Sequence, residues 1–163
     1  MKILYLVRHA KSSKDDPRLP DRDRPLNERG MRDAPMMGER LAQRGVHPDA
    51  VISSPALRAL TTAELVAKPL GIGPESIKID NRLYEASPAV LLAVIRALDD
   101  ARASAMLFGH NPEFTELAQR LSGGDIADMP TCAVAEFHFD TPTWSHLGEQ
   151  PAGHVRVDSP KNS

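Results

Sequence analysis

The sequence has a single cysteine, Cys132, so no internal disulfide can staple the chain. No stretch approaches the ~20 apolar residues of a membrane span. The short apolar run near the N-terminus breaks off into Arg-His-Ala-Lys, without the apolar core and cleavage site of a secretory signal. A cytoplasmic protein with no membrane association is the expectation. Basic charge is not in excess either: Lys and Arg total 20 against 22 Asp and Glu, for a formal net charge of −2. Nucleic acid is therefore not an expected partner, because binding it leans on an excess of basic charge. The six histidines contain no ligand-type repeat such as His-x-x-x-His, and no cysteine cluster supplements them. Neither a metal nor another cofactor is expected on that basis. His47, His138, His146 and His154 read as structural or surface residues. Internal repeats and low-complexity segments are also missing.

The remainder is ordinary: 41% apolar and 26% charged residues over 163 positions, enough for one domain with a real core. That domain is expected over residues 1–158, with 159–163 a free tail. Ile3-Leu4-Tyr5-Leu6-Val7 is an apolar run that reads as a strand buried on both faces, ending in Arg8-His9. Residues 13–25 are polar, with three prolines and mixed charges, and read as a long loop. Asn27 is the expected N-cap of a helix running to about Arg44, with Met31, Ala34, Met37 and Leu41 at helical spacing and Gly45 just past its end. Short β-branched or alternating runs at 50–53, 76–80 and 103–108 read as strands. Ser54-Pro55 and Ser87-Pro88 read as helix starts, the second helix reaching Leu98, and Glu113 to Leu121 as a further helix. Residues 131–140 and 153–158 read as an antiparallel pair. Strands alternating with helices predict an α/β fold: three layers, α/β/α, with a mainly parallel central sheet and an antiparallel edge strand.

In such sheets ligands bind beyond the carboxyl ends of the strands. The first strand delivers Arg8 and His9 there; the second delivers Ser53-Ser54-Pro55 and, one helical turn on, Arg58; the fourth delivers Gly109 and His110. Two arginines and two histidines converging with few acids suit a small, highly charged oxyanion. Phosphate is the leading candidate, since guanidinium groups match its oxygens bidentately. Singly, each of these residues is more often structural; their convergence carries the functional reading. Lys11, Ser12, Ser13 and Arg24 are candidates for lining the entrance or touching the phosphate, and Asn111 for offering its backbone amide.

These residues resemble a known family. Leu6-Val7-Arg8-His9-Ala10, the run Ser53-Ser54-Pro55-Ala56-Leu57-Arg58, and Phe108-Gly109-His110-Asn111-Pro112 are similar to motifs of the histidine phosphatase superfamily, in its order and spacing. Leu26-Asn27-Glu28-Arg29-Gly30 matches its Leu-x-x-x-Gly element. Arg-His-Ala-Lys-Ser, the short length and Asn-Pro after the second histidine most resemble the small SixA-type phosphohistidine phosphatases. Ala10 stands where most of the superfamily has glycine, and the long insertion of the mutase branch has no room here. The resemblance implies a phosphoglycerate mutase-like fold and a phosphatase acting through a covalent phosphohistidine intermediate. It implies His9 as nucleophile, with Arg8, Arg58 and His110 around the phosphoryl group and no metal required. Glu85, in Leu83-Tyr84-Glu85, matches the family's Leu-x-Glu element and is the candidate acid. Implied partners are a phosphohistidine protein or a small phosphorylated metabolite, with phosphate or sulfate held in the pocket. A non-catalytic phospholigand-binding module and a metal-dependent hydrolase are the alternatives.

Overall fold

Strand β1 (Lys2–Arg8) sends Leu4 and Leu6 to one side and Tyr5 and Val7 to the other, and all four are buried. A strand can bury both faces only inside a sheet covered on both sides. In the computed structural model, which describes residues 1–162, β1 has that position. With β2 (Ala50–Ser53), β3 (Ile77–Ile79), β4 (Ser104–Gly109), β5 (Val134–Phe139) and β6 (His154–Asp158) it forms one sheet of order β3-β2-β4-β1-β5-β6. The β3–β2, β2–β4 and β4–β1 pairings are parallel, whereas β5 is antiparallel to both β1 and β6. Thus β5 alone runs against the others, and β6 returns outside it to become the edge.

Helices α1 (Glu28–Gln43) and α2 (Leu57–Ala67) cover the Tyr5/Val7 face; α3 (Pro88–Arg96) and α4 (Glu113–Ser122) cover the Leu4/Leu6 face. The protein is a three-layer α/β/α sandwich, as its alternating pattern requires. Asn27 caps α1 by accepting from the Gly30 N–H at 2.9 Å, and Gly45, at φ 76°, stops it. Ala34, Met37 and Leu41 face the core, but Met31, counted with them by spacing, is exposed. Gly38 takes its place in the interface: a Cβ there would lie 2.5 Å from the Val66 carbonyl of α2. Ser87 caps α3, with Pro88 as its first residue, and the helix stops at Arg96, two residues before the expected Leu98.

Ser54-Pro55 does not open a helix. The α2 helix begins at Leu57, capped by Ala56 without a side-chain bond; the Ser54 hydroxyl accepts from the Ala56 N–H at 3.2 Å and bonds His110 Nε2 at 2.8 Å. The segment after β5 also departs from a plain hairpin. Trp144 is fully buried in a single turn, Trp144–His146, its Nε1 donating to the Arg102 carbonyl at 2.8 Å. Lys2 is buried beside it and donates to the carbonyls of Asp100 and Arg102, closing the amino end of β1. Past Asp158 the chain is anchored rather than free: Arg40 donates to the carbonyls of Ser159 and Pro160, and Ser159 is buried. Ser163, the last residue of the expected tail, lies outside the described residues.

Gly30 places the first helix against the loop that follows β1. A Cβ on it would lie 2.2 Å from the Lys11 carbonyl, which already accepts the Asn27 N–H at 3.0 Å. Gly30→Ala is therefore expected to destabilise the protein by about 1–3 kcal/mol, as overpacking does, and to displace the backbone beside His9. Denaturant unfolding measures the first effect and amide hydrogen exchange at residues 9–11 the second.

Candidate active site

The carboxyl ends of β1, β2 and β4 are stitched together by backbone bonds before any side chain takes part. Arg8 is in register with Gly109; the His9 N–H donates to the Gly109 carbonyl at 3.0 Å, and the Ser54 N–H to the Phe108 carbonyl at 3.0 Å. From the other side, Cys132 donates its N–H to the His9 carbonyl at 3.0 Å, using a left-handed backbone at φ 62°. Burial pushes the Cys132 thiol up to about 12, which keeps it unreactive. Ala10 needs no positive φ, and its side chain is fully buried in the core. Alanine therefore fits where glycine is the commoner residue. The Ala10 N–H donates to Thr62 Oγ1, which in turn donates to the Arg58 carbonyl, so Thr62 ties the loop after β1 to α2. No local sequence pattern marks Thr62 for this.

His9 is 8% exposed, with Nδ1 2.7 Å from the Ala10 carbonyl. A carbonyl only accepts, so Nδ1 carries the proton and Nε2 keeps its lone pair. Burial is the main cause that holds the His9 pKa down, to about 4; the Ala10 bond opposes it, and the Arg58, Arg8 and Arg24 charges add to it. His110, its ring centroid 5.3 Å from that of His9, bonds Ser54 Oγ through Nε2 at 2.8 Å. It is held down to about 3, first by burial, then by the His9 and Arg58 charges. Both rings are thus neutral near pH 7. Between pH 6.5 and these lower values the unfolded chain binds protons that the folded chain refuses. Stability is expected to fall as pH drops below 6.5, and the penalty is absent above it. An NMR titration of the free protein is expected to find both rings uncharged down to pH ~5.

Arg8 donates through Nη1 to the Met129 carbonyl at 2.9 Å, and its pKa is lowered, chiefly by burial. Arg58, 6% exposed, directs its two Nη groups to the carbonyl and carboxylate of Asp21 at 2.8 and 3.0 Å. Arg24 donates to Ser12 Oγ and the Ser13 carbonyl, so Ser12 orients an arginine. Among the described residues, three buried side-chain nitrogens have no partner: Arg8 Nε, Arg58 Nε and His110 Nδ1. Two are obligate donors, and all three belong to the strand-end cluster. Unsatisfied buried donors gathered in a cationic pocket define a site for an anion that brings several oxygens.

Asp21 is a site residue that no sequence pattern marks. It lies in the 13–25 loop, in a short turn (Asp21–Asp23), and its carboxylate accepts from Tyr84 Oη at 2.6 Å as well as from Arg58 and Arg24. The Tyr84 bond, followed by the two arginines, holds its pKa well below the usual carboxylate range. Tyr84 reaches the mouth of the site, its ring edge-on to His110 at 5.6 Å. Glu85, the expected acid, is exposed on a left-handed backbone of φ 55° and makes no side-chain hydrogen bond to the cluster. Asn111 spends its side chain elsewhere: it accepts from the Thr115 N–H and hydroxyl and donates to the Met129 carbonyl that also takes Arg8. Lys11 is exposed.

Residues 4–92 match the family model of the histidine phosphatase superfamily (branch 1). An uncharacterized protein of Mycobacterium tuberculosis is 35% identical over 139 residues, covering 79% of this chain and 84% of that one. The chain belongs to this superfamily. Within the superfamily it falls in the SixA-like branch. The structure of the protein histidine phosphatase SixA complexed with tungstate superposes with a TM-score of 0.82 at 27% identity, covering 98% of each chain. A structure assigned to phosphohistidine phosphatase SixA from Agrobacterium tumefaciens gives 0.81 at 26%, covering 96% of this chain and 98% of that one.

Proposed function

We propose that the protein hydrolyses phosphohistidine in proteins, with His9 as the nucleophile. The observation that carries this is the His9–Ala10 bond: it fixes the tautomer of a buried, neutral imidazole and leaves Nε2 free beside three arginines. In the first step Nε2 attacks phosphorus in line, an N–P bond forms, and the bond from phosphorus to the leaving group breaks. Water then attacks the phosphorylated His9, releasing inorganic phosphate and restoring the imidazole. Arg8, Arg58 and His110 surround the transferring group, whose charge spreads over its equatorial oxygens, with Arg24 adding a further cation. The arginines supply the positive charge that a metal would otherwise provide. Tungstate in the SixA complex is a tetrahedral oxyanion of the same class, which supports phosphate or sulfate binding here.

The leaving group follows from the proton inventory. An alkoxide needs an acid, but Asp21 is held ionised, His110 is neutral, and Glu85 stays outside the hydrogen-bonded cluster. An imidazole leaves far more readily than an alkoxide, so a phosphoramidate suits a site without a poised acid. Phosphohistidine protein is therefore the preferred substrate over small phosphomonoesters.

The test is to incubate the protein with ³²P-phosphohistidine protein and, in parallel, with a simple phosphomonoester, then quench. An acid-labile, base-stable phosphoenzyme is expected, together with faster turnover of the phosphoramidate and no loss of rate in excess chelator. Faster turnover of the monoester would defeat the substrate assignment. A rate that collapses with chelator and returns with a divalent ion would defeat the mechanism.

A further inference from the structure

On the far part of the sheet a second group of histidines meets a carboxylate. Glu136 and His138 are two residues apart on β5 and so share a face. His154 stands directly opposite His138 on β6, and its ring meets that of His138 edge-on at 5.0 Å. One potential ligand atom from each of the three lies within 4.8 Å of the others, and this is the one such trio among the described residues. The cluster lies away from the phosphoryl pocket: β5 is antiparallel to β1, so His138 pairs with Ile3, near the strand's amino end, while Val134 pairs with Val7.

We propose that Glu136, His138 and His154 bind a divalent d-block cation of the zinc class. Glu136 is prepared for this. Its Oε1 is fixed by Arg44 Nη2 at 2.7 Å, which turns Oε2 toward His138 Nε2 at 2.6 Å. A cation would take the place of the proton shared between Oε2 and Nε2, and His154, exposed at the edge, would turn in as third ligand. Tetrahedral ligands about 2.0–2.1 Å from zinc stand about 3.3–3.4 Å apart, so small side-chain rotations complete the geometry and leave a fourth position for water. The surrounding charge sets the selectivity. Arg44 and, opposite Glu136 on β6, Arg156 outnumber the one carboxylate, and Tyr5 faces it from β1. Magnesium or calcium, which rely on several oxygen ligands, would be rejected, while two imidazoles favour zinc, copper or nickel. The bound ion would cross-link β6 to β5 at the open edge of the sheet.

The test uses the untagged, chelator-stripped full chain, titrated with Co²⁺ followed by visible absorption and with Zn²⁺ by calorimetry. One equivalent per chain is expected, with a Tm that rises with added Zn²⁺ but not with Mg²⁺. His154→Ala and His138→Ala are each expected to weaken binding at least tenfold, whereas His146→Ala and His9→Ala leave it unchanged. Circular dichroism of His154→Ala, a change at an exposed position, verifies that the fold is kept. Undiminished binding in both strand variants would overturn the proposal, and so would loss of binding in His9→Ala, which would move the ion into the phosphoryl pocket.

Discussion

His9→Ala is expected to lower kcat by about 10⁴-fold or more, the scale seen when a covalent nucleophile is removed. The loss should be chemical rather than structural. The bonds that hold this position in the fold, His9 N–H to Gly109 and His9 carbonyl to Cys132, are made by the backbone and survive the substitution. The bond lost with the ring is the one from Nδ1 to the Ala10 carbonyl. A single-turnover assay with phosphohistidine protein, read beside an unfolding curve, separates the two causes. A stable His9→Ala protein that still turns over would remove His9 from the reaction, however well placed its ring is.

Arg58→Ala is expected to lower kcat/KM by about 10²–10³-fold, as when an oxyanion donor is lost. Arg58 is the most deeply placed of the guanidinium groups, and its Nε has no partner among the described residues. Arg58→Lys should recover little, because an ammonium cannot reproduce a planar fork of donors. The variant also removes two of the bonds that hold Asp21, whose carboxylate keeps Tyr84 and Arg24. If kcat/KM stayed near normal in Arg58→Ala, the assignment of Arg58 to the phosphoryl group would fail.

The sheet was legible where burial is two-sided. The β1 and β4 strands are continuous apolar runs because both faces are covered, and Asn27 and Ser87 announce helices because their side chains have a local partner, the N–H three residues on. Ser54 looked the same and was different: its hydroxyl accepts from the N–H two residues on rather than three, and it also bonds His110, 56 residues away, of which local pattern carries no trace. The cluster of Arg8, His9, Arg58 and His110 could be collected because each follows a strand and parallel strands bring such ends together. Asp21 could not, because an aperiodic loop does not reveal which of its charges turns inward. Glu136, His138 and His154 escaped for another reason: a trio across two antiparallel strands leaves no repeat in the chain, and only the register brings it together.

The strand order has a consequence for how the protein is made. The β1 strand, which carries Arg8 and leads into His9, is synthesised before the other five strands, yet its two neighbours are β4 and β5. Ile3 pairs with Ser104 on one side and His138 on the other, so the nascent strand waits about a hundred residues for its first partner. Until then its apolar faces and both backbone edges are open, the condition in which chaperone capture or mispairing occurs. The segment that matches the family model, residues 4–92, ends before either partner begins. A chain stopped there would hold the strand that leads into His9 and neither of its neighbours, so completion of β4 and β5 is the step that brings the strand-end cluster together.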